Sequence, residues 1–307
     1  MKDNDLPFVG LHAHSTFSLN DGFGYPQEHQ EYAYGNGMNA LALTDHGTCA
    51  GLSYAILNAK KMREEGKEFK AILGVEAYFI PDVVEWREIY EEIKQDKKSA
   101  RALKKRESTT VAETDGSSRE GSTATLPRYA HLILFAQSQI GLNNIYSIVS
   151  ESHDEKHFYR RPRVDFNLLR KYNEGVICAT ACLGGIVGRE LYSGRDAGLN
   201  EEEIYQNALV KLKTFADIYG DRFYGELQWN SVPEQHIVNK MVIRASEEIG
   251  ISIISTADSH YPTQDAWRDR EMYKRLGWLS RGTPSWMTED DMKMPESVDA
   301  IGYELYP

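Results

Sequence analysis

Short apolar runs alternate with amphipathic stretches along this chain. Phe8 to Leu11 is an apolar run that ends in His12-Ala13-His14-Ser15, and Ala40 to Leu43 is another, ending in Thr44-Asp45-His46-Gly47. Between them, Pro26 to Gly35 predicts a helix closed by Gly-Asn-Gly. Gly51 to Glu65 predicts a second, with Leu52, Ala55, Ile56, Ala59 and Met62 on one face and Gly66 just past its end. Ala71 to Val75 predicts the next strand, followed by Glu76. In the second half, strands are predicted at His131 to Ala136, Gly175 to Thr180, Phe223 to Leu227 and Ile251 to Thr256. Helices fall at Ile140 to Ser152, Glu201 to Tyr219 and Pro233 to Ile249. Strand, helix, strand in this rhythm predicts an α/β fold of parallel strands with crossover helices.

One segment breaks the rhythm. From 82 to 128 the chain is charged and then rich in Ser, Thr and Gly. Glu85 to Glu92 is mostly acidic, Lys97 to Arg106 carries six basic residues, and Thr114 to Thr125 is low-complexity. The first part predicts a surface helix. The second cannot bury enough apolar area to order itself, so the whole reads as a mobile insertion in a loop.

Composition narrows the function classes. The formal charge of −11 argues against binding nucleic acid by bulk charge, and leaves room for an acidic site that holds cations. No apolar run approaches the roughly 20 residues of a membrane span. The start, Met1-Lys2-Asp3-Asn4-Asp5, carries no signal-peptide pattern. Cys49, Cys178 and Cys182 form no even disulfide framework and no CxxC pair, so a reducing, cytoplasmic setting is expected.

The candidate chemistry is positional. Polar residues of metal-ligand type sit at the ends of successive apolar runs. His12 and His14 are two apart, as are Asp258 and His260, so each pair shares one face of an extended chain. His46 follows the second run, Glu76 the third, and Cys182 comes just after another. In parallel α/β barrels the carboxyl ends of the strands converge on one rim. Imidazole, carboxylate and thiolate together are what a zinc-type ion accepts. Each piece alone has a bland reading: a lone His-x-His is weak, and a single Cys is usually a small buried apolar residue.

The set His12-Ala-His-Ser, Asp21-Gly, Thr44-Asp-His-Gly, Gly74-Val-Glu, His131-Leu, Cys182-Leu-Gly-Gly and Asp258-Ser-His resembles the polymerase and histidinol phosphatase (PHP) domain. Two connecting stretches, His131 through Ile145 and Phe158 through Cys182, resemble more narrowly the PHP domain of bacterial C-family DNA polymerase III alpha subunits. The resemblance implies a distorted (β/α)7 TIM-like barrel over residues 1–270. It implies up to three divalent metal ions (zinc or manganese, with iron admitted) on nine ligands: His12, His14, Asp21, His46, Glu76, His131, Cys182, Asp258 and His260. It further implies a metal-dependent phosphoesterase, similar to the family's 3′–5′ exonuclease proofreaders, acting on a DNA primer 3′ end. Partners would be a polymerase catalytic module or other replisome subunits. Arg161 and Arg163 are candidate phosphate contacts, and Asp45 a candidate orienter of a ligand imidazole. Ser15 and Ser259 lie beside ligands.

His131 fits the strand-end argument poorly, because it opens its apolar run rather than closing it. Either that strand runs opposite to the others or its boundary lies elsewhere. Residues 271–307 resemble the lead-in to a polymerase palm, without the palm's Asp-x-Asp strand. The expectation is therefore a split or phage version, a stand-alone homologue or a fragment that does not synthesise DNA. Two other functions remain open: a catalytically silent module that organises a polymerase partner, and a histidinol-phosphatase-like phosphomonoesterase.

Overall fold

Alternating side-chain direction along strands that are buried on both faces sorts the protein into an inner and an outer layer. The structure, a computed structural model, describes residues 8–107, 129–281 and 292–297. In chain order the elements are α1 (Pro26–Gly35), β1 (Ala40–Leu43), α2 (Leu52–Glu64), β2 (Lys70–Phe79), α3 (Val83–Glu107), β3 (Ala130–Ala136), α4 (Gln139–Ser152), β4 (Arg163–Val164), α5 (Phe166–Lys171), β5 (Val176–Ala179), α6 (Ile186–Asp196), α7 (Glu201–Tyr219), β6 (Phe223–Gln228), α8 (Pro233–Ile249), β7 (Ser252–Thr256) and α9 (Trp267–Arg281). Helices read from periodicity and caps fall within a residue of their expected bounds. α7 starts at an Asn200–Glu203 capping box, and α8 has Pro233 in its first turn and ends at Gly250, whose φ is 71°.

The strands form one curled sheet in the order β1-β2-β3-β5-β6-β7, with β4 pairing β2. This is the distorted, TIM-like α/β architecture. The outer face carries Val75, Ala77, Phe79, Leu132, Leu134 and Leu227, packed against Ile145, Leu191, Leu209, Phe215 and Val242 of the surrounding helices. Each such Val, Leu, Ile or Phe side chain contributes about 1.5–3 kcal/mol on burial. The inner face carries Ala42, Ile133, Phe135 and Ala179, with Ile72, Tyr224 and Ile254 beside them.

Three expectations need correction. The strands are not all parallel: β3 runs antiparallel to both β2 and β5. Glu76 does not follow its strand but lies inside β2, which extends to Phe79. The first apolar run forms no ladder of its own. Instead Gly10 bridges Leu41 and Ala13 bridges Ser259, so this segment joins β1 to the residues just after β7. The short elements β4 and α5 have too few periodic positions to stand out in the sequence, and α6 and α9 are not among the elements predicted from it.

The charged segment beginning at residue 82 opens as α3, a surface helix whose first turn packs one side while Val84 and Glu85 stay exposed. Val83 and Trp86 are buried with Ile80. The Trp86 ring lies 5.0 Å from Tyr90 and 4.8 Å from Tyr159. The stretch Thr114–Thr125, the side chains of Lys97–Arg106, and residues 282–291 and 298–307 lie outside the described residues. Among the described residues no helix is long and apolar enough to cross a membrane.

Candidate metal centre

Strand parity delivers the candidate ligands to one end of the inner face. On β2 the outer positions are Val75, Ala77 and Phe79, so Glu76 points inward. On β3, His131 shares the face of Ile133 and Phe135. Because β3 is antiparallel, its first residues lie beside the later residues of β2, and His131 pairs with Tyr78. That reversal removes the misfit noted in the sequence: the start of β3 belongs at the ligand end. His46 bridges Glu76 at the end of β1, and His12 and His14 flank Ala13 on the joining segment.

Two ligand positions depend on unusual backbone. Asp258 has φ of 55°, and Ala181, immediately before Cys182, has φ of 62°. The left-handed region costs a residue with a Cβ roughly 1–2 kcal/mol. Both bends come just after a strand, at the points where Asp258 and Cys182 meet the other ligands.

All nine candidates join one connected cluster. His12 Nε2 lies 3.0 Å from Asp258 Oδ1 and 3.0 Å from His14 Nε2. His14 Nε2 lies 3.5 Å from Glu76 Oε2 and 3.4 Å from Asp258 Oδ1. Glu76 also meets His46 Nδ1, sits 3.0 Å from His131 Nδ1, and is 3.8 Å from Cys182 Sγ. Asp21 Oδ2 is 3.0 Å from His46 Nε2 and 3.7 Å from His260 Nε2. The His14 ring stacks between His46 at 4.2 Å and His260 at 4.5 Å.

The donor set fits divalent cations. Glu76 Oε2, Asp258 Oδ1 and His46 Nδ1 are buried and make no well-formed hydrogen bond, although His46 Nδ1 touches Glu76 Oε2 and His12 Nε2 lies 3.0 Å from Asp258 Oδ1. Buried polar atoms of this kind call for a partner, and a cation supplies one to all three. Among the described residues, three overlapping triads each keep their ligand atoms within 4.8 Å: His12, His14 and Glu76; His14, His46 and His260; His46, Glu76 and His131.

The protonation states follow from burial and neighbours. Burial, followed by the His46 and His260 charges, pushes His14 down to about 3, leaving a neutral imidazole with a free lone pair. Burial also depresses His12, but Asp258 and Glu226 overcome it and hold His12 well above its usual value. For Glu76 burial works upward, yet His131 and His46 keep the carboxylate well below its usual range. Burial, then Asp258 and Glu76, push the Cys182 thiol well above its usual value. Such a thiol becomes a thiolate only when a cation replaces its proton.

Supporting residues complete the site, and one of them has no signal at any strand end. Glu226 is an inward-facing carboxylate inside β6, 2.7 Å from His12 Nδ1, and it accepts hydrogen bonds from Thr256 Oγ1 at 2.6 Å and Gln228 Nε2 at 3.0 Å. A carboxylate behind a ligand imidazole fixes its tautomer and orientation. The only linear clue to it is an acid in an otherwise apolar strand. Asp45 reaches His14 through Ser18, whose Oγ donates to Asp45 Oδ1 at 2.8 Å and lies 3.0 Å from His14 Nδ1. Ser15 donates its N–H to Asp45 at 2.7 Å, and Ser259 donates its N–H to His12 O at 3.0 Å.

The two arginines part company. The Arg161 guanidinium lies 5.3 Å from the centroid of the Tyr78 ring, which in turn stacks on His46 at 5.9 Å, so it flanks the cluster. Arg163 is fully buried. Its Nε donates to His157 O at 3.1 Å and its guanidinium lies 4.1 Å from the Trp86 ring. It stacks against α3 in the buried layer, where β4 pairs with β2.

A curled α/β sheet with an inner cluster of imidazoles, acids and a thiol defines a class, and the sequence comparison agrees. The chain belongs to the PHP domain family, whose model matches residues 10–230. Within that family it is similar to DNA polymerase III alpha subunits. It is 34% identical over 255 residues to that of Aquifex aeolicus and 31% identical over 258 residues to that of Borreliella burgdorferi. These alignments cover 83% and 84% of the chain, but the chain spans only 18% of either relative's length. A putative metal-dependent phosphoesterase from Bifidobacterium adolescentis aligns over 86% of this chain and 96% of its own, with 12% identity and a TM-score of 0.45.

Proposed function

We propose that this chain is a metal-dependent phosphodiesterase that removes nucleotides from a DNA primer 3′ end, in the manner of a proofreading exonuclease. The observation that carries the reading is the connected cluster of nine donor side chains, complete in residue type. His12, His14, Asp21, His46, Glu76, His131, Cys182, Asp258 and His260 would hold up to three zinc or manganese ions. Such ions supply a water of lowered pKa and neutralise charge on the phosphate. The chain's own residues set the stage. Glu226 orients His12, and Ser18 with Asp45 orients His14. Arg161, beside the cluster, offers a bidentate contact for a phosphate. Similarity to alpha subunits supports a polymerase module as partner and a cytoplasmic replication setting.

Purified chain supplied with Mn²⁺ or Zn²⁺ should shorten a 3′-mismatched primer. Asp258→Asn and His14→Ala should each slow that reaction by about two orders of magnitude or more. Intact primer with the metal-loaded chain would count against the reading. Turnover of a phosphate monoester alone would favour a phosphomonoesterase. Metal-dependent stability without any hydrolysis would favour a structural module.

A further inference from the structure

We propose that Arg270 is a positioning residue for the metal centre, fixing Asp21 so that a single oxygen faces the cations and making α9 part of the site. The proposal rests on the metal-centre reading above and extends beyond residues 10–230, the span matched by the family model.

Asp21 differs from the other ligands in how it is held. It closes the turn from Thr16 to Asp21 and follows Asn20, whose φ is 63°. Its side chain is 34% exposed, whereas those of His12, His14, Glu76 and Asp258 are buried to within 4%. A carboxylate on such a turn could present either oxygen, or both, to a cation. Its backbone alone does not decide which.

Helix α9 decides it. The fully buried Arg270 grips Asp21 with one edge of its guanidinium: Nε donates to Asp21 O at 2.9 Å and Nη2 to Asp21 Oδ1 at 2.7 Å. Oδ2 is left directed at His46 and His260. The third guanidinium nitrogen, Nη1, donates to Glu271 Oε1 at 2.9 Å. Two more contacts press α9 on the same turn. Tyr273 Oη accepts from Asn20 N at 3.1 Å, and Gly277 lies so close that an added Cβ would stand 2.5 Å from Asn20 Cβ. A planar fork that binds a main-chain carbonyl and a carboxylate of one residue sets both the position and the rotation of that residue. A lysine ammonium, a point charge, cannot set both.

The test measures cation uptake, not turnover. Mn²⁺ or Zn²⁺ alone is titrated against a competing chelator for the wild-type chain and for Arg270→Gln, Asp21→Asn, the double variant and Arg270→Lys. Arg270→Gln should weaken one bound ion by about 10–100-fold, the range for outer-shell partners of metal ligands. Glu271 keeps Lys274 at 2.8 Å and Arg275 at 2.5 Å, so the substitution does not strand Glu271. In the Asp21→Asn background, Arg270→Gln should add nothing, because Arg270 acts through Asp21. Arg270→Lys should fall between wild type and Arg270→Gln. Additive losses, or Arg270→Gln titrating like wild type, overturn the proposal. If Arg270→Gln does not fold, Arg270→Lys is decisive, and wild-type affinity in that variant overturns it. A wild-type chain that takes up no ion sinks the metal-centre reading itself, a result distinct from normal uptake with an unaltered variant.

Discussion

A carboxylate in mid-strand is the residue that linear reading passes over. Most of the nine ligand candidates stand out as polar side chains beside an apolar run, while Asp21, in a polar turn, enters only through the family resemblance. Glu226 sits inside such a run, and only its 2.7 Å approach to His12 reveals its role. Glu226→Gln should keep the fold and weaken metal binding by about 10–100-fold, measurable by chelator competition. A second buried group lies outside the cluster. His29 on α1, held by Phe23 O at 2.9 Å, is pushed by burial down to about 4. Its folded pKa is depressed, so the unfolded chain takes the proton first. The stability tied to neutral His29 is present above pH 6.5 and is lost as pH falls towards 4. At full separation it is about 3 kcal/mol. Denaturant unfolding at pH 7 and pH 4.5 should show His29→Gln losing less stability on acidification than wild type. An equal loss in both would sink this account.

At the scale of elements, direction matters as much as existence. The apolar run of β3 was plain, but nothing inside seven residues says which way a strand runs relative to its neighbours. Pairing with β2 and β5 sets that, and it brings His131, already a candidate through the resemblance, to the ligand end of the sheet. The helix after Cys182 depends on close approach in the same region. Gly184 O accepts from His131 N at 2.9 Å, and an added Cβ at Gly184 would stand 3.0 Å from His131 Nδ1. Gly184→Ala should therefore displace the His131 ring and reduce ion retention, while an Asn200→Ala change at the distant α7 cap should cost about 1 kcal/mol of stability and leave retention unchanged. Equal retention in the two variants, by metal analysis after dialysis, would refute the packing argument. Element α3 makes the converse point: its composition predicts a solvated helix, yet Trp86, in its first turn, is packed among rings from elsewhere in the chain.

Across the whole molecule, buried charge links stability to metal. Three of the nine candidate ligands, Asp21, Glu76 and Asp258, are carboxylates that contribute to a net charge of −11. Cations bound only by the folded form stabilise it by mass action, about 2.7 kcal/mol at a free concentration one hundred times Kd. Stripping ions with EDTA should lower Tm by on the order of 5–10 °C, and returning Mn²⁺ or Zn²⁺ should restore it. A Tm indifferent to chelation would remove the cations from the account. The sequence by itself determined the residue types, the α/β rhythm and most helix bounds, because side-chain alternation and capping act over a few residues; the full candidate ligand set came from the family resemblance. Tertiary structure alone decided the direction of β3, the burial of Arg163 and the company kept by Glu226 and Arg270. Those depend on which distant segments pair, and pairing is a property of the assembled sheet that no short stretch of chain encodes.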